Sequence, residues 1–198
     1  MNDPGEMTEI ISLLELQKND TVYSWTEKGT IFAKAEVQPQ KALFSQIGVG
    51  AKSVTFTTWK HDITLNNAFR WNGKFCFLTD ITEINRLYYE VTAAMVEPKT
   101  CQLMKAEKTM DETLHRPVYS EPQAVLTFPA CLTEKYMGFQ KSNPQSQVNV
   151  QYVLVTPKPI ELALGDLVKV GQTIYNVQIV HDLDEFKNEY EIAATREA

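Results

Sequence analysis

Hydrophobic and polar positions alternate with a period of two along several stretches of the chain. In residues 31–38 the small and aliphatic side chains of Ile31, Ala33, Ala35 and Val37 alternate with Phe32, Lys34, Glu36 and Gln38, as in a strand buried on one face. Residues 54–58 and 87–96 continue this pattern, whereas residues 148–156 carry apolar side chains on both faces, which is typical of a strand buried on both sides. These patterns predict an all-β fold.

The first apolar segment has a denser pattern. Residues 8–17 contain closely spaced isoleucines and leucines with Glu9 and Glu15 among them, and Thr8 is available as an N-cap. We therefore predict a short N-terminal helix that ends near Asn19 and Asp20.

The two halves of the chain repeat one order of features. Asn72-Gly73 suits a two-residue type I′ hairpin turn, because both positions tolerate a positive φ. Segments that match between the halves are Ile63-Thr64-Leu65 with Ile160-Glu161-Leu162 at an offset of 97 (160 minus 63), Gly73 with Gly171 at 98, and Tyr89-Glu90-Val91 with Tyr190-Glu191-Ile192 at 101. The repeat predicts two tandem small antiparallel β-barrel or sandwich units. Similar composition of strand-rich segments is the alternative explanation.

These features predict the domain boundaries and separate cores. The N-terminal helix and first unit occupy residues 1–98, a charged and aperiodic linker occupies 99–117, and the second unit occupies 118–198. Each half is expected to have its own antiparallel sheet. The predicted core residues are Trp71, Phe75, Phe77 and Val91 in the first half, and Val153, Leu162, Tyr175 and Ile192 in the second.

Composition narrows the classes of function. The chain has 19 Lys and Arg against 25 Asp and Glu, a net charge of -6, with its cations scattered singly. This pattern disfavours sequence-specific nucleic-acid binding, which needs clustered cations. No apolar stretch approaches the length of a membrane span, and the N-terminus is acidic where a secretory signal would be basic. We expect neither membrane insertion nor conventional secretion.

The residues that commonly carry chemistry do not form a recognisable motif. Cys76, Cys101 and Cys131 lie far apart, and none of the three histidines has a second ligand at zinc-binding spacing. We interpret the cysteines as buried thiols. The prediction is a protein without catalytic residues, metal or cofactor.

Two apolar segments are candidates for contacts with other proteins. One is a predicted loop over residues 39–53 that contains Leu43, Phe44 and Ile47, and the other contains Tyr136, Met137 and Phe139 around Gly138. Apolar residues on an exposed loop indicate a surface that a partner covers. The alternative is that Phe44 packs back into its own unit.

The first half resembles minor capsid proteins of the head-tail connectors of tailed phages. The resemblance rests on His61-Asp62-Ile63-Thr64-Leu65, Asn67-Ala68-Phe69, Trp71, Gly73, Phe77-Leu78-Thr79-Asp80-Ile81, Arg86, Tyr89-Glu90-Val91, Ala93-Ala94 and Val96-x-Pro98-x-x-Cys101. In the second half, residues 131–135 and 152–166 look like other small connector or head-completion proteins. The tandem second unit departs from single-barrel connectors, which leaves the layer of the connector open.

The resemblance implies a structural protein of the virion, assembled in the host cytoplasm. Several copies would form a homo-oligomeric ring that joins the portal to the tail and helps to retain or pass DNA, in contact with other connector, portal or tail proteins. An acidic lining would let DNA slide. The competing hypothesis is a cellular β-barrel adaptor or ligand-binding module, whose apolar loops would grip a peptide or small molecule.

Overall fold

The computed structural model describes residues 4–43, 48–106, 108–110, 116–135, 152–182 and 184–195. Their regular secondary structure consists of strands apart from a short 3-10 turn at Pro4–Glu6, so the predicted all-β class is confirmed. The strands are β1 Glu9–Asn19, β2 Val22–Leu43, β3 Gly48–Trp59, β4 Asn67–Trp71, β5 Lys74–Ile84, β6 Tyr88–Met95, β7 Lys99–Lys105, β8 Lys108–Met110, β9 Pro117–Tyr119, β10 Gln123–Lys135, β11 Tyr152–Pro157, β12 Leu167–Val170, β13 Thr173–His181 and β14 Lys187–Ala194.

The predicted N-terminal helix is wrong, because residues 9–19 form β1. This strand pairs with β2 from Glu9↔Ala33 to Asn19↔Val22. The register shifts between Leu13 and Leu14, and both of these leucines are buried. Successive side chains of a strand point to opposite faces, and Leu13 and Leu14 are buried in two different clusters, so the segment shows the dense apolar pattern of a helix.

The first six strands pair in a closed order. The order is β1-β4-β5-β6-β3-β2, and β2 also pairs with β1. Every one of these pairings is antiparallel. We call these strands the N-terminal unit.

The remaining strands of the large sheet repeat this order. β7, β12, β13, β14, β11 and β10 are neighbours in that sequence, and β10 also pairs with β7. We call these strands the C-terminal unit. We number the six strands of each unit one to six in chain order, without β8 and β9, which belong to the second sheet. Both units then have the order 1-4-5-6-3-2. The two units therefore share one topology.

The bulges also recur. Strand two carries an extra residue opposite strand one, at Lys28 in the N-terminal unit and at Val125 in the C-terminal unit. Strand five carries another, at Thr79 and at Gln178 respectively. Bulges at the same places in both pairings extend the repeat from strand order to residue register.

The predicted linker at 99–117 contains a strand of the second unit. β7 pairs with β10 and β12, and it buries Cys101 and Leu103. Only two apolar positions of this short strand face the core, between charged ends, so its alternation is too brief to stand out in the sequence.

The prediction of two separate sheets is also wrong, because the sheet continues through both halves. The parallel pair Thr127↔Val22 and the antiparallel pairs Glu134↔Val49 and Lys135↔Gly48 connect the units. The twelve strands accordingly form one mixed sheet, and β8 pairs separately with β9.

Three buried clusters stabilise the chain. One lies within the N-terminal unit around Phe56, Phe69 and Val91, and one lies within the C-terminal unit around Phe128, Tyr190 and Ile192. The third joins the units. Its buried members are Leu14, Ala68, Phe75, Phe77, Ala94, Cys131, Val153 and Val155.

The predicted core residues are buried apart from Trp71, which is half-buried. Phe75, Phe77 and Val153 nevertheless belong to the third cluster. They pack between the units and not within either unit's own core.

Residues 39–43 and 48–53 belong to paired strands and not to the predicted loop. β2 continues to Leu43 and β3 begins at Gly48, with Lys41↔Lys52 and Ala42↔Ala51 as pairs. The glycines and Pro39 hide this pairing in the sequence. By contrast, the predicted hairpin at Asn72-Gly73 is confirmed, with φ values of 49° and 74° between β4 and β5.

Candidate functional site

The predicted contact residues lie almost entirely outside the described residues. This applies to Phe44, Ile47, Tyr136, Met137 and Phe139. The backbone of Leu43 ends β2 opposite Val49. These contacts remain predictions, and the candidate site is built below from other residues.

An apolar row crosses the outer face of the N-terminal unit. Ile10 of β1 lies opposite Phe32 of β2, and Trp59 of β3 lies opposite Tyr88 of β6. The pair Ala33↔Thr58 places Phe32 and Trp59 next to each other across β2 and β3. Ile10, Phe32 and Trp59 are 63%, 55% and 40% exposed. We call Ile10, Phe32, Trp59 and Tyr88 the apolar row.

The strand pattern explains why these side chains face outward. Ile11, Ile31, Ala33 and Thr58 are buried inside the unit, so their neighbours along each strand point away from it. Trp59 and Tyr88 stack with ring centroids 4.8 Å apart, and Leu87 adds a further exposed apolar side chain beside Tyr88. A contiguous apolar surface of this kind marks an interaction site more often than a scattered hydrophobic residue does.

Charges of both signs border the apolar row. Lys34 lies two residues beyond Phe32 and binds the carboxylates of Glu6 at 2.7 Å and Glu36 at 3.1 Å. At the other border Lys60 binds Glu83 at 2.7 Å. Side-chain hydrogen bonding to these carboxylates raises the pKa of both lysines. The border of the row is therefore mixed in charge.

The corresponding face of the C-terminal unit is covered. The pair Cys131↔Val155 takes the place of Lys34↔Thr57, and Pro157↔Lys187 takes the place of Trp59↔Tyr88. Cys131, Val155 and Pro157 are buried. Around strands two and three this face is therefore open in the N-terminal unit and covered in the C-terminal unit, whereas Thr100, the equivalent of Ile10, stays exposed.

The N-terminal unit provides the cover through its own opposite face. Leu14 of β1, Ala68 of β4, Phe75 and Phe77 of β5 and Ala94 of β6 form the third cluster with Cys131, Val153 and Val155. The C-terminal unit has an equivalent face. Its pairs Met104↔Leu167, Lys169↔Ile174 and Asn176↔Ala193 correspond to Leu14↔Ala68, Arg70↔Phe75 and Phe77↔Ala94 of the N-terminal unit. Its five residues, which we call the partner face, are half-buried: Met104, Leu167, Ile174, Asn176 and Ala193.

A polar groove of ≈ 370 Å³ lies between the units. In it the Nζ atom of Lys28 lies 3.7 Å from the carboxylates of Glu15 and Asp62. The remaining lining residues are Leu16, Thr64, Asn66, Asn67, Pro157 and Pro159. A groove of this size falls within the range of small-molecule sites.

The three cysteines are buried, as predicted, and carry no disulfide. Burial, followed by the charge of Glu97, raises the pKa of Cys76 to about 12, and burial raises the pKa of Cys101 to about 12. Burial also raises the pKa of Cys131. These thiols are protonated at neutral pH and are therefore poor nucleophiles and metal ligands.

Buried hydrogen bonds fix the position of the loop between β11 and β12. The carbonyl oxygen of Ile160 accepts hydrogen bonds from Thr156 Oγ1 at 2.9 Å, Asn188 Nδ2 at 3.0 Å and Tyr190 OH at 3.1 Å. The backbone N–H of Leu162 donates to Tyr190 OH at 3.0 Å. Burial is the main cause of the raised pKa of Tyr190. This cluster holds Ile160 and Leu162 in the core of the C-terminal unit.

No protein family model, curated protein or solved structure matches this chain. Within the described ranges, no three or more His, Cys, Asp and Glu side chains group as a metal site would require. Among the residues that the structure describes, no helix reaches the length and apolar character of a membrane span.

Sequence reasoning did not identify the apolar row. Phe32 shares its side of the strand with the polar residues Lys34 and Glu36, and Trp59 ends β3 just beyond the alternating stretch. The sequence could have shown the row only if residues 9–19 were recognised as a strand. Ile10, Phe32 and Trp59 then fall on the outward-facing positions of their strands.

Proposed function

We propose that the chain is a non-enzymatic structural protein of the head-tail connector of a tailed phage. In this proposal each unit is a small six-stranded antiparallel β-barrel, because the strand pairing of each unit returns to its first strand. Copies assemble into a ring that joins the portal to the tail in the virion. The net charge of -6 suits a channel lining along which DNA slides without binding.

The observation that carries the proposal is the exposed apolar row on a face that is covered in the other unit. An isolated subunit that leaves Phe32 and Trp59 in water has a surface ready for a protein partner. Assembly proteins need such a surface. We propose the head-tail connector as the assembly because residues 61–101 resemble connector proteins.

The test is binding to the portal complex encoded by the same genome. The full chain and its double variant Phe32→Thr/Trp59→Thr are each mixed with purified portal, and bound protein is measured by co-sedimentation. We expect the variant to bind at least about tenfold more weakly, because copies that lose these aromatic contacts cannot assemble into the ring that binds the portal at many sites together. Threonine preserves strand propensity at these outward positions, so the melting temperature of the free variant should stay close to that of the parent chain.

The matched control is Leu164→Thr/Ile179→Thr, which removes two other exposed apolar side chains from the C-terminal unit. Its binding should equal that of the parent chain. No binding of the parent chain to portal, or equal binding by the Phe32/Trp59 variant, would contradict the proposal.

A second candidate function is a cellular adaptor or ligand-binding module. The groove with Glu15, Lys28 and Asp62 is the observation that favours it. In that case Lys28→Ala would abolish ligand-induced stabilisation without changing self-association, and the apolar row would be dispensable.

A further inference from the structure

We infer that the packing of the two units inside one chain recurs between chains. The partner face of one copy, on its C-terminal unit, covers the apolar row of the next copy, on its N-terminal unit. This inference rests on the proposed function, since it names how copies of the connector protein contact one another. It assigns the occupant of the apolar row as a second copy of this chain.

The shared topology supplies the first step. Within the chain, strands two and three of the C-terminal unit bury Cys131, Val153 and Val155 against the N-terminal unit. Strands two and three of the N-terminal unit present the equivalent positions Lys34, Thr55 and Thr57, beside Phe32 and Trp59. In the C-terminal unit this face is covered within the chain. In the N-terminal unit it is uncovered, and a second chain can cover it.

The composition of the partner face supplies the second step. Four of its five side chains, Met104, Leu167, Ile174 and Ala193, are apolar yet only half-buried. Their equivalents Leu14, Ala68, Phe75 and Ala94 are all buried by the other unit. The C-terminal unit therefore retains an apolar face of the kind that the N-terminal unit uses for docking.

Area and charge are consistent with a second copy. An aromatic side chain buries about 150–250 Å² when it is fully covered. Phe32 and Trp59 are 55% and 40% exposed, so each can bury roughly 60–140 Å² more. With Ile10 and Leu87 they supply the apolar centre of an interface of about 800 Å² per partner. Lys34, Lys60, Glu83 and Glu90 carry both signs around the row. If the border carried charges of one sign only, it would favour a partner of the opposite charge. A mixed border is compatible with a second copy of this chain, whose net charge is -6.

The symmetry of this contact follows from its two different faces. A contact between two unlike faces is heterologous, and it produces a closed ring when the rotation between copies closes. Because each copy contributes two units of the same topology, the ring has twice as many units as chains.

The test uses single cysteines on each face. Thr57→Cys lies beside the apolar row, Ala193→Cys lies on the partner face, and the native cysteines are buried with raised pKa values. A short bismaleimide should cross-link an equimolar mixture of the two variants into heterodimers at high protein concentration. Each variant alone should give no dimer. Gln172→Cys, on the exposed turn between β12 and β13, replaces Ala193→Cys as the control and should give none.

A second readout removes one face at a time. Phe32→Thr/Trp59→Thr and Leu167→Thr/Ile174→Thr should each fail to assemble alone, whereas their mixture should form a one-to-one dimer that grows no further. A mixture that neither cross-links nor dimerises, while the parent chain still binds portal, would overturn the inference and leave the connector function standing. Cross-linked copies that do not bind portal would support the contact between copies and contradict the connector function.

Discussion

At the scale of single residues, burial determines how the thiols behave. Cys76, Cys101 and Cys131 are each at most 2% exposed, and a thiolate is costly in such surroundings. The cysteines therefore contribute packing and not chemistry. Replacing all three by alanine should leave assembly within about an order of magnitude of the parent chain, because a buried thiol acts as a small apolar side chain.

The raised pKa values also predict how stability depends on pH. Above pH 9.0 the unfolded chain releases thiol protons that Cys76 and Cys101 retain in the folded state up to about pH 12. The thiols' contribution is therefore complete below pH 9.0 and is lost as the pH rises through that window. The free energy of unfolding should fall by up to about 1.4 kcal/mol per pH unit for each thiol.

Urea unfolding at several pH values between 8 and 11 measures this dependence. The triple alanine variant is the comparison, since its other titratable groups are unchanged. Parallel curves for the parent and variant chains would show that the thiols titrate alike in both states.

Tyr190 is the residue whose hydroxyl we expect to matter most for stability. Tyr190→Phe removes a donor to Ile160 O and an acceptor for the N–H of Leu162, both buried. The free energy of unfolding should fall by about 1–3 kcal/mol. Tyr23→Phe is the control, because its hydroxyl bonds the carbonyl of Pro159 at an exposed position. Equal urea midpoints for the two variants would contradict the importance of the buried cluster.

At the scale of elements, two tight turns close corresponding hairpins. Gly73 and Gly171 have φ values of 74° and 63°, between β4 and β5 and between β12 and β13. Gly73→Ala and Gly171→Ala should each lower the free energy of unfolding by about 1–2 kcal/mol, because a Cβ atom disfavours the left-handed region. Gly29→Ala is the control, since Gly29 has no positive φ and a Cβ there meets no atom within 4 Å. A loss at Gly29 as large as at Gly73 would contradict this explanation.

The elements also show how far a single sequence leads. Strict alternation identified the strands around residues 31–38 and 87–96, and Asn72-Gly73 identified its hairpin. β1 buries Leu13 and Leu14 on opposite faces in two different clusters, so it lacks the regular polar positions that mark a strand buried on one face. Local pattern therefore predicted a helix where long-range pairing produces a strand.

The internal repeat was visible in the sequence, but its register was not. The bulges on strand five align Val91 with Tyr190, 99 residues apart (190 minus 91), whereas the sequence match at 101 is displaced by two. The hairpin turns align Asn72 with Gly171 in the same way. Bulge and turn positions fix this register, and neither has a reliable signal in one sequence.

The candidate site needed the three-dimensional pairing of distant strands. The row combines residues of β1, β2, β3 and β6, and its meaning depends on comparison with a covered face on the other unit. Apolar content alone pointed to residues 43–47 and 136–139, whose side chains the structure does not describe. Exposure can be assigned only when the strand partners are known.

At the scale of the whole molecule, the third cluster makes the two units one body. Phe75 and Phe77 are almost fully buried between the units. Phe77→Ala should therefore destabilise both units together, by about 3–5 kcal/mol. Thermal unfolding followed by tryptophan fluorescence and by far-UV circular dichroism should give one shared transition, and two separated transitions would show that the units unfold independently.

The central claim is that the open face of the N-terminal unit is an assembly surface. Its most direct test is a cryo-EM reconstruction of the full chain bound to the portal of the same genome. The account predicts a closed ring in which Phe32 and Trp59 of each copy are buried against Leu167 and Ile174 of its neighbour. A reconstruction in which the apolar row faces solvent in every copy would contradict it.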